Sequence, residues 1–129
     1  MSNSAVLLVA RILLSVMFIM AGLQKFGSIE STAGYIGSVG LPAGTLLAWL
    51  TAIFETVAGV AILVGFHTRI AAALLALFCI VASFFFHFDF ADQTQSLMFM
   101  KNITIAGGFL ALYAAGAGAL SVDARRGRA

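Results

Sequence analysis

Cysteine occurs once, at Cys79, so an intrachain disulfide and a CxxC redox pair are both excluded. Charge is nearly as scarce, with seven Lys and Arg and five Asp and Glu in 129 residues. With 62% of the chain hydrophobic and a mean hydropathy of +1.09, a soluble domain of this size could not hide its apolar surface. His, Cys, Asp and Glu form no cluster at ligand spacing, which argues against a metal site. A haem held between His67 and His87 is excluded because they bracket a single apolar run, about 30 Å of helix. The run Gly116, Gly118 and Ser121 is too apolar and too late to be a phosphate loop. Neither an internal repeat nor a low-complexity tract is present.

What the chain does have is apolar length. Four runs, 5–26, 45–66, 69–88 and 102–120, are each long enough at about 1.5 Å per residue to cross a hydrocarbon layer of roughly 30 Å. They predict an all-α membrane protein, an antiparallel four-helix transmembrane bundle filling one domain over 1–129. The first run is not expected to be a cleaved signal peptide, since MSNS carries no basic residue, the run is too long, and Arg11 interrupts it. Arg69, Arg125, Arg126 and Arg128 fall on one side, whereas the opposite loops hold only Lys25 and Lys101 beside Glu30, Asp89 and Asp92. Both termini are therefore expected in the cytoplasm, with the basic tail on anionic lipid rather than on nucleic acid.

The connections differ in character. Ser28 as an N-cap, then Ile29, Ala33 and Ile36, then Gly40, Leu41 and Pro42 as a stop, predict a short interfacial helix between spans one and two. A tight turn at 65–68 makes a hairpin of spans two and three. The polar stretch between His87 and Lys101 reads as an outer loop. Trp49 and Tyr35 read as interfacial aromatics.

Polar and small residues of each span fall on one face: Arg11, Ser15, Phe18, Gly22 and Lys25; Ala52, Glu55, Thr56 and Gly59; Ala72, Ala76, Cys79, Ser83 and His87; and Lys101, Thr104, Gly108 and Ala115 beside Gly107 and Ala111. Such stripes describe helices whose backbones approach closely in lipid, within one chain or between copies in a homo-oligomer. Charges in hydrocarbon cost roughly 3 kcal/mol each on insertion scales, so they turn inward toward a partner or a wet cavity. Depth counting puts Arg11 and Glu55 about 6 Å apart along the bundle axis, which predicts an ion pair. That pair either sets helix register, or leaves Glu55 to bind a proton or a substrate with Arg11 keeping it ionised.

A second group gathers at the outer end. Lys25 closes the first span, His87 ends the third, and Lys101 with Asn102 opens the fourth. These donors suit a quinone carbonyl, a carboxylate or a lipid headgroup. Their plainer role is interfacial anchoring, since a lysine near a helix end reaches for water by default.

In order and spacing the chain resembles the DoxX family of small four-span bacterial membrane proteins over nearly its whole length. The matching pieces are Arg11, Leu14, Phe18, Gly22, Lys25 and Phe26, then Gly40, Leu41 and Pro42, then Glu55 and Gly59. They continue with GFHTRIAAALLAL from Gly65, His87 in FFFHF, Lys101 and Asn102 before Gly107 and Gly108, and Gly116, Gly118, Ser121 and Asp123. The resemblance implies an inner-membrane protein with a redox-accessory role, next to a quinone or within a membrane redox complex rather than as a stand-alone enzyme. By position it nominates Arg11, Glu55, His87, Lys101 and Asn102. The absence of a cysteine pair speaks against direct thiol-disulfide chemistry. The competing expectations are a noncatalytic small-solute or lipid binding or transport protein, and an assembly subunit of a larger complex.

Overall fold

The computed structural model describes residues 2–127, and Arg128 of the basic tail lies outside them. The chain is all-helical, with α1 (Asn3–Phe26), α2 (Ile29–Ser38), α3 (Gly44–Val64), α4 (Thr68–Phe86), α5 (Gln93–Ala115) and the short α6 (Val122–Arg125). Four of these, α1, α3, α4 and α5, are long and apolar enough to span a bilayer. Their outward surfaces carry Leu, Ile, Val and Phe, as lipid contact requires.

Local chemistry sets the helix ends. Ser2 caps α1 by accepting the Ala5 N–H at 3.2 Å. The interfacial helix forms as α2, but Ser28 is not its side-chain cap: its hydroxyl donates back to the Gln24 carbonyl at 3.1 Å. Gly65 and His67 adopt left-handed backbone, φ +73° and +46°, and turn α3 into α4.

The fourth span departs from its expected limits of 102–120 at both ends. Asp92 accepts the N–H groups of Thr94 and Gln95 at 2.9 and 3.3 Å, so α5 starts at Gln93 and takes in most of the expected outer loop. A cap of this kind starts a helix irrespective of hydropathy. At the other end Gly116 leaves helical geometry with φ +78° and ψ −174°, and the chain folds back beneath the bundle as a strap leading into α6.

The bundle is built as two closely packed antiparallel pairs, α1 on α3 and α4 on α5. Gly22 and Gly59 allow the first pair its close approach. A Cβ on Gly22 would collide with the Thr56 hydroxyl and lie 2.8 Å from the Thr56 nitrogen, and one on Gly59 would lie 2.8 Å from Ile19 Cγ1. Between the pairs, Phe18 meets Phe109 edge-on at 5.5 Å, surrounded by Ile62, Leu75 and Leu112.

Three expected stripes face inward, with Arg11, Ser15, Phe18 and Gly22 buried on α1, Ala52, Glu55 and Gly59 on α3, and Ala72, Ala76, Cys79 and Ser83 on α4. The α5 stripe does so only at Gly108, which is half-buried against Leu14. Thr104, Gly107, Ala111 and Ala115 are exposed, while Ala106, Phe109 and Leu112 face the core. Close contact needs small residues on α1 and α3, whereas the gap between pairs is wide enough to require the bulk of Phe109.

Candidate functional site

Glu55 is buried and pairs with Lys25, Nζ to Oε1 2.6 Å, not with Arg11. The helix register explains the correction. Because Gly22 lies against Ala52 and Thr56, and Gly59 against Ile19, each α1 residue faces an α3 residue whose number makes a sum near 77. Lys25 therefore lies level with Ala52, about 4.5 Å along the axis from Glu55, and Arg11 lies level with Gly65, about 15 Å away. A lysine side chain covers the first distance, but no arginine covers the second.

Arg11 serves the opposite end of the bundle. It is 1% exposed, and its Nη2 donates to the Leu120 carbonyl in the C-terminal strap at 2.7 Å. Its Nη1 lies against the turn glycine Gly65, where a side chain would displace it. Asp123 completes this end. Its two carboxylate oxygens accept the backbone N–H groups of His67 at 2.7 Å and Thr68 at 2.9 Å, and its own N–H donates to the Gly65 carbonyl at 2.8 Å. A carboxylate thus caps the amino end of α4, where it also meets the favourable end of the helix dipole. Beyond it, Arg126 folds back over the Phe66 ring at 5.0 Å and places Nη1 3.4 Å from His67 Nε2.

Burial alone raises the Asp123 carboxyl, but the backbone hydrogen bonds from Thr68 and His67 outweigh it and hold the group below the usual carboxylate range. A depressed folded-state value means the stabilisation is complete above the unfolded-state value, near pH 4. It is lost as pH falls through the folded one. Asp123→Ala is expected to cost about 1–2 kcal/mol at neutral pH. Comparing thermal unfolding of the two proteins in detergent from neutral pH down to about 3 should show the difference shrinking as acid is added.

At the end of the bundle expected to face outward, the named donors converge. A cavity of about 320 Å³ is lined by Lys25, Glu55, His87, Lys101 and Asn102, five of the six residues singled out in the sequence, from all four spanning helices. Arg11 is the sixth and lies outside it. The walls are apolar, with Met17, Phe18, Phe78, Phe86 and Met98, and α2 covers the mouth with Thr32, Tyr35 and Ile36. Tyr35, expected only as an interfacial aromatic, stacks on Phe86 at 5.2 Å and donates its hydroxyl to the Phe86 carbonyl at 3.2 Å. His87 is held by Gln95, Nδ1 to Oε1 2.6 Å.

Thr51 and Cys79 also line the cavity. The i, i+3, i+4 spacing of Thr32, Tyr35 and Ile36 was a signal for α2 as a pocket wall. Asp123 stood out only as a piece of the family resemblance, and spacing gave no sign of its partners, which lie 55 and 56 residues away.

A four-span helical bundle closed by a strap at one end and hollow at the other is the class these features define. The model of the DoxX family matches residues 6–88, and the chain belongs to that family. It is 47% identical to Inner membrane protein YqjF of Escherichia coli K12, covering 90% of this chain and 88% of that protein. To Inner membrane protein YphA of the same organism it is 34% identical, over 96% and 92%. A shorter match, 37% identical over 54% of this chain and 51% of the relative, is to the Bacillus subtilis protein named "Putative oxidoreductase CatD". No solved structure matches. The protein is a multi-pass inner-membrane protein.

Proposed function

We propose that this protein is a redox-associated accessory unit that binds a quinone or a similar apolar ligand in the outer cavity. The observation carrying this reading is the cavity itself, whose volume falls in the small-molecule range of about 300–1,000 Å³, with apolar walls and a few convergent polar groups. Lys101 and Asn102 supply donors for ligand carbonyls, beside His87, whose Nδ1 is engaged by Gln95. The Lys25–Glu55 pair lines the same cavity and supplies a proton path. Reducing a quinone to a quinol takes two electrons and two protons, so the electrons come from a membrane redox partner and the chain's part is to hold the ring and pass protons. The oxidoreductase name of the Bacillus subtilis relative supports a redox setting.

The inner end, closed by Arg11, Leu120 and Asp123, favours binding over passage of a solute across the membrane. Purified protein in nanodiscs should gain thermal stability with a short-chain neutral quinone, and Glu55→Gln should alter the pH dependence of that gain. Indifference to quinones of every ring type tested removes this reading.

A further inference from the structure

We infer that the ligand of the outer cavity carries an acidic oxygen, bound as an anion by Lys101. This deepens the ligand-binding reading above and rests on it. The cavity is lined by two ammonium groups, Lys25 and Lys101, and one carboxylate, Glu55. The carboxylate is taken by Lys25 at 2.6 Å, and Lys101 is in no salt bridge among the described residues. Its one side-chain hydrogen bond among the described residues is to the Met98 thioether at 3.6 Å, a weak acceptor. Of the other acids at this end, Asp92 caps α5 and Asp89 accepts the Ala91 N–H, while Glu30 is exposed on α2, which puts no carboxylate on Lys101 among the described residues.

Hydrogen-bond capacity is biased the same way. The Tyr35 hydroxyl is committed to the Phe86 carbonyl, and His87 Nδ1 to Gln95. Among the groups that remain, beside the Thr32 and Thr51 hydroxyls and His87 Nε2, the Lys101 ammonium is the one that carries a charge and has no acceptor function, and it stands next to Asn102, whose amide makes no hydrogen bond among the described residues. A neutral carbonyl could accept from these groups but would make no use of the positive charge of Lys101, which water reaches. An oxyanion satisfies both, and a charge-assisted bond is roughly twice as strong as a neutral one. The apolar body of the ligand then lies against Phe78 and Phe86. A carboxylate on an alkyl chain and an ionised hydroxyl on a quinone ring share this chemistry.

Full-length protein in nanodiscs distinguishes them by titration calorimetry with three probes. These are a 2-hydroxy-3-alkyl-1,4-naphthoquinone, whose hydroxyl ionises near neutral pH, its neutral O-methyl ether, and dodecanoate. The acidic naphthoquinone is expected to bind about tenfold or more tightly than its ether. Lys101→Gln should abolish that preference by weakening the acidic naphthoquinone far more than the ether, and Lys101→Arg should retain it. Lys101 is exposed, so both variants should melt as the parent does without ligand. Equal affinity for acid and ether, or a preference that survives Lys101→Gln, overturns the inference and leaves the quinone reading standing. Lys101-dependent binding of dodecanoate alone supports the anion inference and removes the quinone. Binding of none of the three overturns both.

Discussion

Lys25→Met should lower stability by about 3 kcal/mol, among the largest effects expected of a side-chain change at the outer end. The reason is less the loss of an attraction than what is left behind. Glu55 is 4% exposed, and Lys25 Nζ is its one charged partner among the described residues. Removing the ammonium strands a carboxylate among apolar neighbours, and breaking a buried pair from one side typically costs about 3–5 kcal/mol. The lower end applies because Lys25 is itself 28% exposed. Removing both charges should be far milder, since an apolar or neutral replacement of a buried pair is often close to neutral. The double variant Lys25→Met with Glu55→Gln should therefore melt closer to the parent than Lys25→Met does. A thermal-melt cycle over the four proteins measures the coupling, and simple additivity would mean that the pair contributes nothing.

Gly22→Leu should be at least as damaging, by about 3 kcal/mol or more. The α1 and α3 backbones meet at this position, where even a methyl group lies within 3 Å of the Thr56 nitrogen and the Ala52 carbonyl oxygen. Backbone cannot rotate away as a side chain does, so the helices must separate and the Lys25–Glu55 geometry goes with them. Gly107→Leu is the matched control. That glycine is also mid-span, but nothing lies within 4 Å of its Cβ position, so the same substitution should change stability by less than about 0.5 kcal/mol. Comparable losses at the two sites would mean that the α1–α3 contact is not the tight one.

The contrast between these glycines shows how far the fold was legible in the sequence. Spacing alone identified the inward face of α1 residue by residue, because Arg11, Ser15, Phe18 and Gly22 repeat at the helical period and all four are buried. The same reasoning failed on α5. Small residues mark a close seam only where another backbone is present to meet them, and Gly107 has no such neighbour. The start of α5 was written in the chain as an aspartate followed by two free N–H groups, but a count of apolar residues passes over it.

For the site, Lys25, Glu55, His87, Lys101 and Asn102 were identified as functional candidates, and they share one cavity. The partner of Glu55 was not legible. Depth counted from the ends of each span assumes that the ends lie level. In fact the amino end of α1 runs on past the end of α3, since Arg11 is already level with Gly65. Only the interlocking of Gly22 and Gly59 with the opposite helix sets that offset, and hydropathy carries no trace of it.

The strap has a bearing on how the molecule becomes complete. Four spans satisfy the bilayer once Ala115 is in place, but the guanidinium near the start of the chain must still wait for the carbonyl of Leu120. Until those residues arrive, an arginine sits in the bundle without its acceptor and the amino end of α4 without its carboxylate. Insertion of the four spans and closure of the structure are therefore separable, and the strap that follows α5 locks α1. Shortening the chain by a dozen residues would spare its topology and unfasten its base.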